Sequence, residues 1–255
     1  MVHKFKPRLG PPAGILMCLL IALPQAPAAA ADCPVPADMF LFEPTLPKLV
    51  DALVAGRPVT IIALGGASTE GRAAEGAEYS WPSRLGAELS RDFPQSAVTI
   101  LNLARPRQTA AAVVRRLEKD VLTKNPSLVI WETGTVDAVR NVELAEFQDT
   151  LQAGVALLKE KSDVVLMDMQ FSRGVQSFVD FEPYRKVLQQ VSDLNDIPLF
   201  PRADLMREWA ERGEIDYRVK EKQQRRDMAR TLYRCIGTAV SEFLTRGAPP
   251  PETGR

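Results

Sequence analysis

Short apolar runs that alternate with helical patterns constrain the fold of this chain more than any other feature. We predict five strands from these runs, at residues 57–64, 98–103, 127–133, 163–168 and 197–200. Strands that are apolar throughout are buried on both faces, and strand–helix alternation is typical of a parallel sheet covered by helices. We therefore expect an α/β protein with three αβα layers and a flavodoxin-like, parallel five-stranded sheet.

Helices are predicted wherever apolar residues recur at three- and four-residue spacing between the strands. These helices span residues 46–54, 81–93, 108–122, 142–161, 182–194, 205–211 and 226–246. We expect Trp81 and Trp131 to lie in the core.

The first 31 residues have the pattern of a secretory signal peptide. Lys4, Lys6 and Arg8 precede an apolar stretch at residues 14–23, and small residues at 28–31 supply a cleavage site before Asp32. The alternative is that this segment is not cleaved and anchors the protein in the membrane. The single histidine of the chain is His3, so cleavage would leave no imidazole. A Ser–His–Asp hydrolase would then lack its usual base.

The rest of the chain is long enough for one α/β domain. We expect an N-terminal extension with a short helix at residues 32–56, a domain at 57–246 and a disordered Pro/Gly-rich tail at 247–255. After the signal, no stretch is long and apolar enough to be a transmembrane segment. Residues 32–255 hold 29 Lys and Arg against 32 Asp and Glu, which gives no indication of nucleic-acid binding.

Two cysteines remain after the signal, Cys33 and Cys235. An even number in an exported chain is consistent with a disulfide, here one that would join the two chain ends. Two unpaired thiols are the alternative.

Small and polar residues follow the first three predicted strands, where an open parallel sheet binds its ligands. These segments are Gly65-Gly-Ala-Ser-Thr-Glu-Gly71, Asn102-Leu-Ala104 and Glu132-Thr-Gly-Thr-Val-Asp137. In this order they resemble the strand-end motifs of the SGNH/GDSL hydrolase superfamily, over about residues 57 to 245. The resemblance implies an esterase fold whose usual substrates are lipid esters and acylated carbohydrates.

The residues that carry catalysis in that superfamily are altered here. Aligning Thr69 to Gly71 without a gap places Ala67 at the nucleophile position, whereas a shift of one residue places Ser68 there. Ala104 replaces an oxyanion-hole glycine. Val136 replaces an asparagine donor, and losing one such donor costs ~10²–10³ in rate.

The final motif of the superfamily, Asp-x-x-His, is best matched by Asp227-Met-Ala-Arg230. Asp227 fits the orienting acid, but Arg230 stands at the histidine position and a guanidinium does not act as a base near neutral pH. A solvated ion pair between Asp227 and Arg230, on one helix face, is the alternative.

Other side chains near the strand ends are candidates for ligand binding: Asn102, Arg105, Glu132, Asp137 and Gln170. We expect Glu132 to pair with Arg105, Arg107 or Arg140, and Ser68 to be a turn or capping hydroxyl. Arg105, Arg107 and Arg230 would favour an anionic ligand.

We therefore expect an exported, periplasmic protein without standard serine esterase activity. It would bind an acyl, glycan or anionic ligand, or an envelope protein partner, with no cofactor and no metal. Two alternatives remain open: a weak esterase or acyltransferase that uses Ser68, with Asp227 or Glu132 acting through water, and a purely structural envelope component.

Overall fold

The computed structural model describes Met1 and residues 33–40, 45–172, 174 and 177–248. The chain divides into residues 1–30 and residues 31–255, and the described residues other than Met1 belong to the second unit. The predicted signal peptide, apart from Met1, and residues 249–255 of the predicted tail lie outside the described residues.

A parallel sheet of five strands forms the centre of the described structure, as predicted. Its strands are β1 (Val59–Leu64), β2 (Val98–Asn102), β3 (Leu128–Glu132), β4 (Asp163–Met167) and β5 (Leu199–Phe200). They lie in the order β2-β1-β3-β4-β5. Ala63 is opposite Asn102 and Leu64 is opposite Trp131, so the segments that leave β1, β2 and β3 begin side by side.

Helices cover both faces of the sheet. They are α1 (Pro47–Val54), α2 (Ala67–Glu70), α3 (Trp81–Asp92), α4 (Ala110–Val114), α5 (Thr135–Val139), α6 (Leu144–Lys159), α7 (Glu182–Asn195), α8 (Arg202–Glu211) and α9 (Lys222–Thr245). Apolar residues of α1, α3, α8 and α9 share one core cluster. Those of α4, α6 and α7 share the other, on the opposite side of the sheet. The three-layer prediction is confirmed.

Packing explains why the central strands read as continuous apolar runs. Every residue of β3 is buried, and Trp81 and Trp131 are fully buried, as expected. Gly154 of α6 lies against the Trp131 ring, where a Cβ would come within 2.7 Å of a ring carbon. Glycine at this position lets the helix approach the sheet closely.

Three predicted helices differ from the structure by more than two residues at one end. The helix predicted at 108–122 is interrupted, because α4 ends at Val114 and a π turn (Leu117–Val121) follows. Arg116, at the break, is buried and donates hydrogen bonds to the Leu103 carbonyl and the Gln108 side chain. Helices α8 and α9 begin earlier than predicted, at Arg202 and Lys222.

A disulfide joins Cys33 to Cys235 of α9, with Cα atoms 5.6 Å apart. This confirms the predicted pairing. Next to it, Trp209 of α8 donates a hydrogen bond to the Pro34 carbonyl at 3.0 Å. The N-terminal segment is thus fixed to two helices of one layer. Among the described helices, none has both the length and the apolar character needed to cross a membrane.

Candidate functional site

The candidate site lies at the carboxyl ends of β1, β2 and β3 and comprises residues 65–71, 102–109 and 132–140. The turn after β1 begins at Gly65, where a Cβ would lie 2.5 Å from Thr69 Oγ1 and 2.6 Å from Glu132 Oε2. Only glycine fits so close to these atoms. Gly66 then precedes the single turn of α2, and Gly71 ends it with a left-handed φ of 89°.

Glu132, the last residue of β3, holds this turn in place. Its Oε2 accepts hydrogen bonds from Gly66 N at 3.1 Å, Thr69 Oγ1 at 2.6 Å and Ser68 Oγ at 3.3 Å. The residue is only 6% exposed. One buried carboxylate oxygen therefore binds the backbone and two hydroxyls of the turn where the superfamily carries its nucleophile.

Arg202, at the start of α8, completes the cluster and has a side chain with no exposed area. Its Nη1 donates to Ser68 Oγ at 3.0 Å and lies 3.8 Å from Glu132 Oε2. Its Nη2 donates to Gln170 Oε1 at 3.4 Å. One expectation was wrong: the salt-bridge partner of Glu132 is Arg202, and not Arg105, Arg107 or Arg140. Ser68 lies in the turn after β1, one of the two positions expected for it, and its hydroxyl links Arg202 to Glu132.

Two tyrosines line the space around Arg202. Burial raises the pKa of both Tyr217 and Tyr233, although the nearby guanidinium opposes this. Both phenols are therefore neutral at physiological pH. Arg202 Nε and the Tyr217 hydroxyl are buried, and neither has a hydrogen-bond partner within the described ranges.

Few reactive atoms are found at Ala67, which aligns with the nucleophile in the ungapped register, and at the residues that align with the oxyanion hole. Ala67 is exposed at the start of α2 but has no hydroxyl. Ala104 N donates to Asn102 Oδ1 at 3.2 Å, while Asn102 Nδ2 donates to the Thr69 carbonyl at 2.7 Å. Val136 is half-buried on α5 and has no polar side-chain atom. Asn102 thus fixes the turn after β1 and the loop after β2 together.

Asp227 and Arg230 do not form the predicted motif before a helix, because α9 already begins at Lys222. The exposed Asp227 carboxylate accepts hydrogen bonds from Gln223, one turn earlier. Arg230 Nε donates to the Ala74 carbonyl at 3.0 Å, and the guanidinium lies 3.7 Å from the Tyr79 ring centre. Neither residue contacts Ser68 or Glu132. Of the salt bridges found in the described residues, none joins Asp227 to Arg230.

Two other candidate ligand residues are engaged elsewhere. Both Asp137 oxygens accept from Ala110 N, at 3.0 and 3.2 Å, so this buried carboxylate caps α4. Burial raises the pKa of Asp137. Arg105 pairs with Asp120 at 2.8 Å. Gln170, by contrast, contacts Arg202 as described above, so it belongs to the Ser68 cluster.

Arg202 was not found from the sequence. It follows Pro201 directly after β5, and the apolar spacing of α8 becomes visible only at Leu205, so the segment resembled a loop. A basic residue at the end of the last strand is the one signal that could have indicated it. Within the described residues, no group of three or more His, Cys, Asp or Glu side chains could hold a metal ion.

Comparison with known proteins agrees with this architecture. The Non-GDSL lipase-like family profile matches residues 32–250. A two-domain esterase active on acetylated mannans, crystallised with mannopentaose, is 21% identical with a TM-score of 0.63. The match covers 81% of this chain and 56% of the esterase, so the chain spans just over half of that protein.

Two shorter enzymes are matched over their full length. A lipase/acylhydrolase from Enterococcus faecalis is 18% identical with a TM-score of 0.59, and the match covers 76% of this chain and 100% of the enzyme. The acetyl xylan esterase AlAXEase is 17% identical with a TM-score of 0.54, over 71% of this chain and 100% of the enzyme. No curated protein matches the chain. These structural likenesses establish the fold.

Proposed function

Because the chain belongs to the Non-GDSL lipase-like family, we propose that it is an exported protein of hydrolase fold that binds a ligand at the strand ends without cleaving an ester through a serine. The observation that carries this proposal is the position of Ser68 Oγ between Arg202 and Glu132. This hydroxyl is half-buried and joins a buried cation to a buried anion.

The part of the chain that the structure describes offers no suitable base for this hydroxyl. Residues 32–250 contain no histidine. Glu132 Oε2 already accepts three hydrogen bonds and faces a guanidinium. Protonation of this carboxylate would remove the charge that stabilises Arg202 in a buried position. Glu132 is therefore a structural anion in this proposal and not a general base.

The ends of β1, β2 and β3 also offer little stabilisation to an oxyanion. An oxyanion hole needs free donors aimed at the developing charge. Ala104 N is bonded to Asn102 Oδ1, and Val136 has no donor. Loss of these two contributions supports binding without turnover.

The names of two structural neighbours support a proposal for the ligand class. Two of the neighbours act on acetylated mannans or acetyl xylan, by their names. We propose an acylated or charged glycan as the ligand of this chain. An envelope protein that carries such a glycan would be a suitable partner.

Export is part of the proposal. The basic and apolar pattern of residues 1–31 supports it. So does the Cys33–Cys235 disulfide, because such bonds persist in oxidising compartments. N-terminal sequencing of the protein from the cell envelope should give a start at Asp32, whereas a Met1 start in the cytoplasm would contradict export.

A second candidate, a weak esterase, is favoured by one contact: Ser68 Oγ lies 3.3 Å from a carboxylate oxygen. Hydrolysis of p-nitrophenyl acetate separates the two functions. We expect equal background rates for the wild type, Ser68→Ala and the exposed control Ser90→Ala. A wild-type rate that is lost only in Ser68→Ala would replace the binding proposal with the esterase.

A further inference from the structure

We infer that Arg107 and Arg140 form a recognition site for a carboxylate or phosphate group on the ligand. This inference rests on the proposed function, because it names the charge class of the ligand that binds at the same strand ends. Arg107 lies in the loop after β2, and Arg140 follows α5, which comes after β3. Arg140 Nη2 donates to the Arg107 carbonyl at 3.2 Å, so the two residues meet on one rim.

The charges of Arg107 and Arg140 favour an anionic ligand. Arg105 and Arg116, near the same loop, both pair with Asp120. Arg107 and Arg140 are exposed, and among the described residues no salt bridge involves either one. Asp137, three residues before Arg140, is buried and bonded to Ala110 N. The Arg140 charge lowers the pKa of Asp137, but the two side chains form no salt bridge. The rim therefore carries two accessible guanidinium groups, which are well suited to binding an oxyanion.

The backbone conformation of Arg107 is also unusual. Arg107 has a φ of 63°, in the left-handed region that large side chains rarely adopt. Such a conformation persists only where the surroundings impose it, and it is common at ligand sites. Here the hydrogen bond from Arg140 holds the strained residue. The strain presents an arginine where glycine would be the ordinary choice.

The two arginines also lie beside the candidate site. The loops that carry Arg107 and Arg140 leave the strands on either side of β1, next to Ala104 and Val136. Val139, beside Arg140, is 52% exposed. A ligand with an apolar or acyl part could cover Val139 while its anionic group binds the arginines.

Other cations of the molecule are less suitable. Arg202 is fully buried and bonded to Ser68 and Gln170. Arg230 lies on Tyr79. A cleft of about 460 Å³ lined by residues 177–182 also contains Arg185 and Arg207, but both of these pair with Asp204.

Binding of three matched sugars to the full chain tests the inference: glucose, glucuronate and glucose 6-phosphate. Chemical-shift titration at low salt should show both anions binding about tenfold more tightly than glucose, the equivalent of about 1.4 kcal/mol. Comparison of the two anions shows whether the site prefers a carboxylate or a phosphate. Equal affinity for all three sugars, or no saturable binding of any, would overturn the inference.

Variants distinguish recognition from a structural role. Arg107→Gly and Arg140→Gln should each lower anion affinity about tenfold, while Arg57→Gln, an exposed arginine at the other end of β1, should not. Arg107→Gly should also raise the thermal unfolding temperature, because glycine accepts the positive φ. A lower unfolding temperature with unchanged affinity would identify Arg107 as structural and overturn the inference.

The two proposals can fail separately. If hydrolysis depends on Ser68 and the preference for anions depends on the arginines, only the proposal of a non-catalytic function is rejected. Absence of both hydrolysis and anion preference would remove only the arginine site.

Discussion

Two buried carboxylates end neighbouring strands of the sheet, yet their partners differ. Asp168, just after β4, accepts from Ala203 N at 2.8 Å and pairs with Arg185 at 3.0 Å. Glu132, at the end of β3, binds the turn after β1 and Arg202. Both therefore contact the first turn of α8. Only Glu132 reaches the segment where the superfamily places its nucleophile.

The difference lies in the groups that each carboxylate holds in place. Asp168 caps a helix and joins β4, α7 and α8, a role that needs no access to ligand. Glu132 has an equivalent structural role, but one of the groups that it fixes is the Ser68 hydroxyl. A side chain that must transfer a proton needs a free partner, whereas Glu132 Oε2 already accepts three hydrogen bonds within the protein.

Removal of Glu132 should have the largest effect. Glu132→Ala would leave the fully buried Arg202 without a carboxylate partner, and we expect a loss of about 3–5 kcal/mol in the free energy of unfolding. Denaturant titration measures this. The exposed control Glu211→Ala should stay within about 0.5 kcal/mol of the wild type. If Glu132→Ala loses as little free energy of unfolding as the control, the Glu132–Arg202 pair does not stabilise the fold.

Removal of Asp168 should have a smaller effect. Arg185 is 19% exposed on its side chain and keeps Asp204 as a partner at 2.6 Å. Asp168→Ala should therefore cost about 2–3 kcal/mol, mainly through the unsatisfied Ala203 N–H. The same denaturant titration gives the ranking. A larger loss for Asp168→Ala than for Glu132→Ala would reverse the comparison.

The effect of pH on the contribution of Asp168 should be smaller again. Burial raises the pKa of Asp168 to about 6, although Arg185 and Ala203 N lower it. Between about pH 4 and pH 6 the folded protein holds a proton that the unfolded chain has released, so this contribution to stability falls as pH rises.

Comparison of the wild type with Asp168→Asn over this range isolates the contribution of Asp168. We expect the stability difference to change by about 1 kcal/mol per pH unit, with the wild type gaining as pH falls. A stability difference that is constant with pH would show that the contacts with Arg185 and Ala203 N cancel the effect of burial on the pKa of Asp168. A change in the opposite direction would show that these contacts outweigh burial.

The sequence predicted the scaffold better than the site, for a physical reason. Central strands such as β3 are buried on both faces, so they appear as uninterrupted apolar runs. The Cys33–Cys235 disulfide was one of two alternatives that the even number of cysteines after residue 31 left open. These signals are local or simple to count.

The contacts of the site depend on tertiary structure instead. The Arg202–Glu132 pair joins residues 70 positions apart in the sequence, and the start of α8 has no apolar spacing to mark it. Arg105, which was expected at a ligand, is paired with Asp120 because the π turn brings that acid close. The roles of Ala67, Ser68, Ala104 and Val136 in a ligand site stay predictions.

The central claim is that Ser68 is a structural hydroxyl and not a nucleophile, and covalent labelling tests it most directly. A fluorophosphonate forms a stable bond with the oxygen of an activated serine. Intact-mass measurement should show no adduct on the wild-type protein beyond that found on Ser68→Ala. Stoichiometric labelling of the wild type that disappears in Ser68→Ala would contradict the account, because it would require an activated Ser68 and a base among its neighbours.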